Sequence, residues 1–210
     1  MTGRLSFGLY TSLSAGKLRA ALAEFSQQHP DAQIELVEGS RSRMIEGLNA
    51  RTIDVTVLVG LPDPVLGEAL PLWPEQTFAI VPASHPIADL PQVRWDRLAE
   101  EVLLFSTRDA GPEASNALIA RIGGSGRWPK RRLHNVNRDT LLTLVAMGSG
   151  VAVMIGSDLG NLPAGAVAVP LHDADGPTKE LLTAYRDPSN DNPPLRRFWS
   201  MLKSRYSEGG

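Results

Sequence analysis

Side chains able to do chemistry on a bound molecule are concentrated, in this chain, where helices are predicted to begin. Four strings, TSLSAG (11–16), GSRSR (39–43), STRDAG (106–111) and NVNRD (135–139), combine hydroxyl, amide or basic residues at such entrances. A helix N-terminus presents unpaired N–H groups and a partial positive charge, so it holds carboxylates and other anions well. Ser12, Ser14, Arg41, Ser42, Ser106, Thr107 and Asn137 are therefore candidate binding residues. The alternative is that Ser12, Ser14, Ser40, Thr107 and Asn137 cap helices and do nothing more.

Patterns for catalysis are missing. No GxSxG elbow occurs, and GGSG (123–126) and MGSG (147–150) have the wrong spacing. GSG at 148–150 opens like a dinucleotide fingerprint, but Val153 stands where the third glycine belongs and a helical pattern precedes it. Its expected role is to end a helix. His29, His85, His134 and His172 lack HxxxH or HxxE spacing, and the absence of cysteine removes thiolate chemistry and disulfides. No enzyme, cofactor or metal is expected. Arg127, Lys130, Arg131 and Arg132 form a short basic cluster, read as a solvated loop face.

The elements that must position these entrances alternate between a short apolar run and a helical period, the signature of an α/β sheet with crossover helices. LSFGLY (5–10), IELVE (34–38), DVTVLVG (54–60), TFAIVPA (77–83), VLLFS (102–106), RRLHNV (131–136), VAVMI (151–155), VAVPL (167–171) and ELLTAY (180–185) read as strands. Leu18, Ala21, Leu22 and Phe25 form one helical stripe that stops before Pro30, and is taken as core rather than as a face for a partner. Met44, Ile45 and Leu48 mark a second helix, and Leu118, Ile119 and Ile122 a third. RDTLLTLVAMG is a fourth, with Asn137 placed to cap it, and a closing helix from Pro193 presents Leu195, Phe198, Trp199 and Leu202. The Pro-rich stretch LPDPVLGEALPLWPE (61–75) is the one composition shift that suits a crossing between lobes, with a return near Asp175 to Lys179. Two such crossings create a cleft, a favoured ligand position.

With 210 residues, 42% hydrophobic and 21% charged, the chain can build one large core or two small ones. A net charge of −2 leaves it without the electrostatic footprint of a nucleic-acid binder. No segment reaches the roughly 18 apolar residues of a membrane span, and the N-terminus lacks a leader pattern. A cytoplasmic protein without membrane contact is expected.

Taken in order, the strings resemble the effector-binding domain of LysR-type transcriptional regulators. FGLYTSLSAGKLRAALAEFSQQHPDAQIELVEGS is similar to that domain's opening, a strand, a Ser-containing loop, a helix ending in F-x-x-x-x-P, a strand and Glu, with Phe25, Pro30 and Glu38 in place. LNARTIDVTVLVG, VPASHPIADLPQVRWDRL and TLLTLVAMGSGVAVM continue the resemblance over nearly all 210 residues. It implies two Rossmann-like α/β lobes of the type II periplasmic-binding-protein kind joined by two crossover strands, residues 1–75 with 177–210 and residues 76–176. It also implies a small-molecule effector between the lobes, touching Ser12, Leu13, Arg41, Ser42, Gly60, Ser106 and Thr107. Two residues depart from the family pattern: Arg41 replaces a common Ser or Thr, and Ile155 ends a strand where Pro is common. Arg41 suggests an anionic effector, because a guanidinium grips a carboxylate bidentately, the alternative being that it points into solvent. The family further implies a homodimer or tetramer through this domain. DNA would be reached only through a helix-turn-helix that is expected to precede this stretch and is absent from it. A solute-binding protein of a transport system, with the same fold and a leader, is the alternative.

Overall fold

Short apolar runs become strands and helical-period stretches become helices in the computed structural model of the chain, which describes residues 3–108, 111–123, 126 and 128–206. The first elements are β1 (Gly3–Leu9), α1 (Gly16–Gln28), β2 (Ala32–Glu38), α2 (Arg41–Asn49), β3 (Val55–Val59) and β4 (Glu68–Pro82). Then come β5 (Val93–Arg94), β6 (Val102–Ser106), α3 (Gly111–Gly123), β7 (Lys130–His134), α4 (Arg138–Ala146) and β8 (Ala152–Ile155). β9 (Ala166–Asp173), β10 (Gly176–Pro177), β11 (Lys179–Arg186) and α5 (Pro193–Tyr206) complete the chain. The chain divides into two compact units, Met1–Glu75 with Glu180–Gly210, and Gln76–Lys179.

In the first unit the strand order is β4-β11-β3-β1-β2, with β1 parallel to both β2 and β3 and β11 antiparallel to β3. β3 is buried along most of its length, which is why its sequence is apolar without alternation. The stripe Leu18, Ala21, Leu22 and Phe25 of α1 is buried, as core, together with Leu195, Phe198, Trp199 and Leu202 of α5. Phe198 meets both Phe7 and Phe25 edge to face, at 5.6 and 5.2 Å between ring centres, an arrangement aromatic quadrupoles favour.

In the second unit the later part of β4 pairs antiparallel with β8 and β9, β5 and β10 attach to β9, and β6 pairs parallel with β7. Its apolar residues form two clusters, one around Ile87, Leu98, Leu103 and Leu171 and one around Ile80, Leu142 and Val145. Gly148 closes α4 in a left-handed conformation at φ 81°, and a Cβ on Gly150 would lie 2.4 Å from the Val102 carbonyl. GSG is thus a helix end and a close backbone approach, not a phosphate loop.

One strand differs from expectation. The strand expected at 77–83 begins at Glu68, within the Pro-rich stretch, because Pro71 and Pro74 sit at exposed positions while Leu70, Leu72 and Trp73 are buried. A 3-10 helix, Trp95–Glu100, follows β5. No helix among the described residues is long and apolar enough to cross a membrane.

Candidate functional site

In the first unit the parallel strands β2, β1 and β3 end side by side, Leu9 lying opposite both Glu38 and Val57. Crossover connections leave strand carboxyl ends next to helix N-termini, the usual ligand side of such sheets. Three loops leave these ends, and they carry Thr11 to Ser14, Gly39 and Ser40 just before Arg41, and Gly60. Ser12 Oγ accepts a hydrogen bond from the Ser14 N–H at 3.0 Å, shaping the first loop. Leu13 and Ser14 are half-buried. Thr11, absent from the sequence-based candidates, is buried beside them, and its hydroxyl makes no hydrogen bond.

Ser40 caps α2, accepting from the Arg43 N–H at 3.2 Å, so the capping reading holds for it. Arg41, the first residue of α2, folds back and donates from Nη1 to the Val59 carbonyl at 3.2 Å. That bond anchors the guanidinium at the end of β3, with Ser42 exposed next to it in sequence. Arg43 makes the corresponding bond to the Glu38 carbonyl, also at 3.2 Å. Gly60 has φ 125°, and a Cβ there would meet nothing within 4 Å. Its N–H donates to Leu181 O and its carbonyl accepts from Thr183 Oγ1, both at 2.8 Å. Gly60 therefore offers space rather than a hydrogen bond.

In the second unit, Ser106 ends β6 with its hydroxyl committed, donating to Val136 O at 2.7 Å and accepting from the Arg108 N–H at 2.9 Å. Thr107 is exposed, and its N–H donates to His134 O at 2.9 Å. Asn137 caps α4 through the Thr140 N–H at 2.9 Å, which uses its carbonyl oxygen and leaves its amide N–H₂ as a donor group of that loop. The Ile155 N–H donates to Asp158 Oδ2 at 3.3 Å, and the buried Asp158 pairs with Arg138 Nε at 3.3 Å. Asp158 thus ties the end of β8 to the start of α4.

Arg108, whose Nε donates to Asn135 Oδ1 at 2.8 Å, was not among the sequence-based candidates. Its signal was present in STRDAG, but in sequence a cation in a turn reads like any solvated charge. Asp109 and Ala110 of that string lie outside the described residues, as does Arg127 of the basic cluster; Lys130, Arg131 and Arg132 are exposed. His29 stacks against Phe25 at 4.8 Å, and His85 meets Glu101 at 3.2 Å, so both have structural partners. Among the described residues no group of His, Asp and Glu could hold a metal ion.

Comparison with known proteins gives one family. Residues 1–207 match the model of the LysR substrate binding domain. TtuA of Agrobacterium vitis, an HTH-type transcriptional regulator, is 26% identical over 214 residues, covering 97% of this chain and 69% of its own length. CysB of Burkholderia cenocepacia, another HTH-type transcriptional regulator, is 27% identical over 154 residues, 72% of this chain and 48% of its own length. This chain therefore spans only part of the regulators it matches. Among solved structures, the BenM effector-binding domain with its effector benzoate superposes at a TM-score of 0.77 with 24% identity, covering 98% of this chain and 92% of that one. The QuiR effector-binding domain with shikimate gives 0.78 and 17%, covering 100% and 99%. At these identities the likeness carries the fold, which is of the type II periplasmic-binding-protein kind.

Proposed function

Because the chain belongs to the LysR substrate binding domain family, we propose that it senses a small anionic metabolite and passes that signal to transcription in a larger regulator. The carboxylate of that metabolite is taken by Arg41, with Ser12, Leu13, Ser14, Ser42 and Gly60 around it in the first unit. Ser106, Thr107, Asn137 and Ile155 supply contacts in the second unit. Ser106 acts mainly by shaping its turn, since its hydroxyl proton is already spent on Val136 O. DNA is bound by a separate segment of the regulator, because this chain carries a net charge of −2.

The observation that carries the reading is the anchoring of Arg41 to the Val59 carbonyl beside the open space at Gly60. Fixing a guanidinium before the ligand arrives lowers the ordering cost of binding. A hydrogen bond to a charged group contributes about 1.5–3 kcal/mol, so losing it weakens binding roughly ten- to a hundred-fold. Thermal-shift screening with organic acids is expected to find one that raises the melting midpoint, since a ligand of the native state alone stabilises it. Arg41→Ala should weaken that acid by the same ten- to a hundred-fold factor; an unchanged affinity would sink the carboxylate contact.

Copies of the domain are proposed to associate through two strand edges. Among the described residues β2 pairs only with β1 and exposes Glu35, Leu36 and Glu38, whereas β7 pairs only with β6 and exposes Lys130, Arg131, Arg132 and Leu133. An acidic edge with an exposed leucine and a basic edge with another are complementary in charge and in character.

A further inference from the structure

We infer that the effector is a carboxylate with an apolar body, an aromatic or alicyclic ring rather than a polyhydroxylated one, and that Leu61 and Val65 select it. The inference rests on the reading of Arg41 as the carboxylate contact. Leu61 and Val65 are 78% and 88% exposed, and the two prolines of the same loop, Pro62 and Pro64, are exposed with them. Single exposed apolar side chains are ordinary. These differ in that the backbone carrying them is pinned by hydrogen bonds.

The buried Tyr185 clamps the loop from below, its hydroxyl donating to Leu61 O at 3.2 Å and accepting from the Asp63 N–H at 3.0 Å. Asp63 closes the tip, its carboxylate accepting from the Val65 N–H at 3.0 Å and its carbonyl from the Leu66 N–H at 3.1 Å. A stiff apolar tip gains nothing from water, whereas an apolar ligand surface that covers it recovers hydrophobic free energy at little ordering cost.

Position links this tip to Arg41. Leu61 lies two residues beyond the carbonyl that Arg41 binds, so it begins within about 7 Å of that anchor. About that distance separates a carboxylate from the far side of a six-membered ring. At the residue between, Gly60, a Cβ would meet nothing within 4 Å.

Hydrogen-bonding capacity argues in the same direction. The N–H groups of Gly60, Asp63, Val65, Leu66 and Gly67 are all bonded within the unit, and Pro62 and Pro64 have none. The carbonyls of Gly60 and Leu61 accept from Thr183 and Tyr185. Ring hydroxyls facing this loop would lose water and find few partners, a penalty that a bare ring avoids.

Titration calorimetry on the whole chain with benzoate, cyclohexanecarboxylate and shikimate tests this, since the last two share a six-membered ring and differ in hydroxylation. The two apolar acids are expected to bind about ten-fold tighter or better than shikimate. The exposed-site variants Leu61→Ser and Val65→Ser should erode that preference about ten-fold, chiefly by weakening the two apolar acids. Shikimate binding as tightly as cyclohexanecarboxylate, with Arg41 still required, overturns the apolar preference and leaves the carboxylate reading standing. Binding that ignores Arg41→Ala, or no binding of any acid, overturns the carboxylate reading itself and this inference with it. If Leu61→Ser changes the mass of the protein in sedimentation and not the ratio of affinities, the tip belongs to a partner surface and the inference falls.

Discussion

Glu68 shows what a single side chain contributes away from the site. Its carboxylate takes Nε and Nη2 of Arg186 at 2.6 Å on one oxygen, and Lys203 Nζ at 2.7 Å and Trp199 Nε1 at 3.1 Å on the other. One residue thereby ties β4 and β11 to α5 in the first unit. Burial pushes its pKa up, but the hydrogen bonds from Lys203, Arg186 and Trp199 outweigh that and hold it below the ordinary carboxylate value. A carboxyl group whose folded pKa is depressed stabilises the native state above its unfolded pKa, and that contribution fades as pH falls through the folded value. Glu68→Gln is therefore expected to lower the melting midpoint at neutral pH by about 3 °C, the size of shift that roughly 1 kcal/mol produces in a chain of this length. The difference from the parent should begin to shrink once pH falls below about 4.5 and go on shrinking with further acidification, read from melting curves across the acid range. A gap that does not narrow at all in acid would mean that packing, not charge, is what Glu68 supplies.

Between elements, the second unit holds its returning segment by a chain of polar contacts. Trp95 Nε1 donates to Thr178 Oγ1 at 2.9 Å, Thr178 donates to Asp173 Oδ2 at 2.8 Å, and Arg121 of α3 donates to the same oxygen at 2.8 Å while lying 4.5 Å over the Trp95 ring. Thr178→Val keeps the shape and removes the hydroxyl, leaving a buried indole N–H without its acceptor, a loss of about 1–3 kcal/mol. Amide exchange in β9 and β10 should accelerate in that variant, and Thr178→Ser should restore it; equal rates in all three proteins would show that the contact carries no load.

That network was invisible in the sequence, as were the commitments of the site hydroxyls. Apolar runs announced β1, β3 and β6, because a strand buried along most of its length leaves few polar positions to confuse the pattern. Pro71 and Pro74 concealed the first half of β4, since a proline inside an apolar run argues against a strand until its exposure is known. Helix entrances were legible from Ser40 and Asn137, whose caps are local. Whether Arg41 pointed to solvent or to Val59 depended on a strand 18 positions away, and no local spacing encodes that.

At the scale of the whole molecule, charge is nearly balanced in total and unevenly placed. A net charge of −2 gives two copies little long-range repulsion, so local complementarity decides whether they meet. β2 and β7 are unpaired edges of opposite sign, and an unprotected edge is a template for another chain unless charge or a partner manages it. Charged residues on both edges discourage self-pairing of like with like, acidic β2 against acidic β2 or basic β7 against basic β7, while favouring the mixed contact. Exposed ion pairs are screened as the Debye length shortens from about 10 Å at 0.1 M salt to 3 Å at 1 M. Association through these edges should therefore be strongest at low salt and weaken as salt rises, measured as mass in sedimentation at several ionic strengths. Reversing the basic edge with Arg131→Glu and Lys130→Glu should dissociate the assembly at low salt, and adding Glu35→Lys with Glu38→Lys should restore it. A monomeric mass at every ionic strength would sink the edge contact, and an oligomeric mass that neither salt nor the first reversal alters would move the contact to surfaces whose complementarity is apolar.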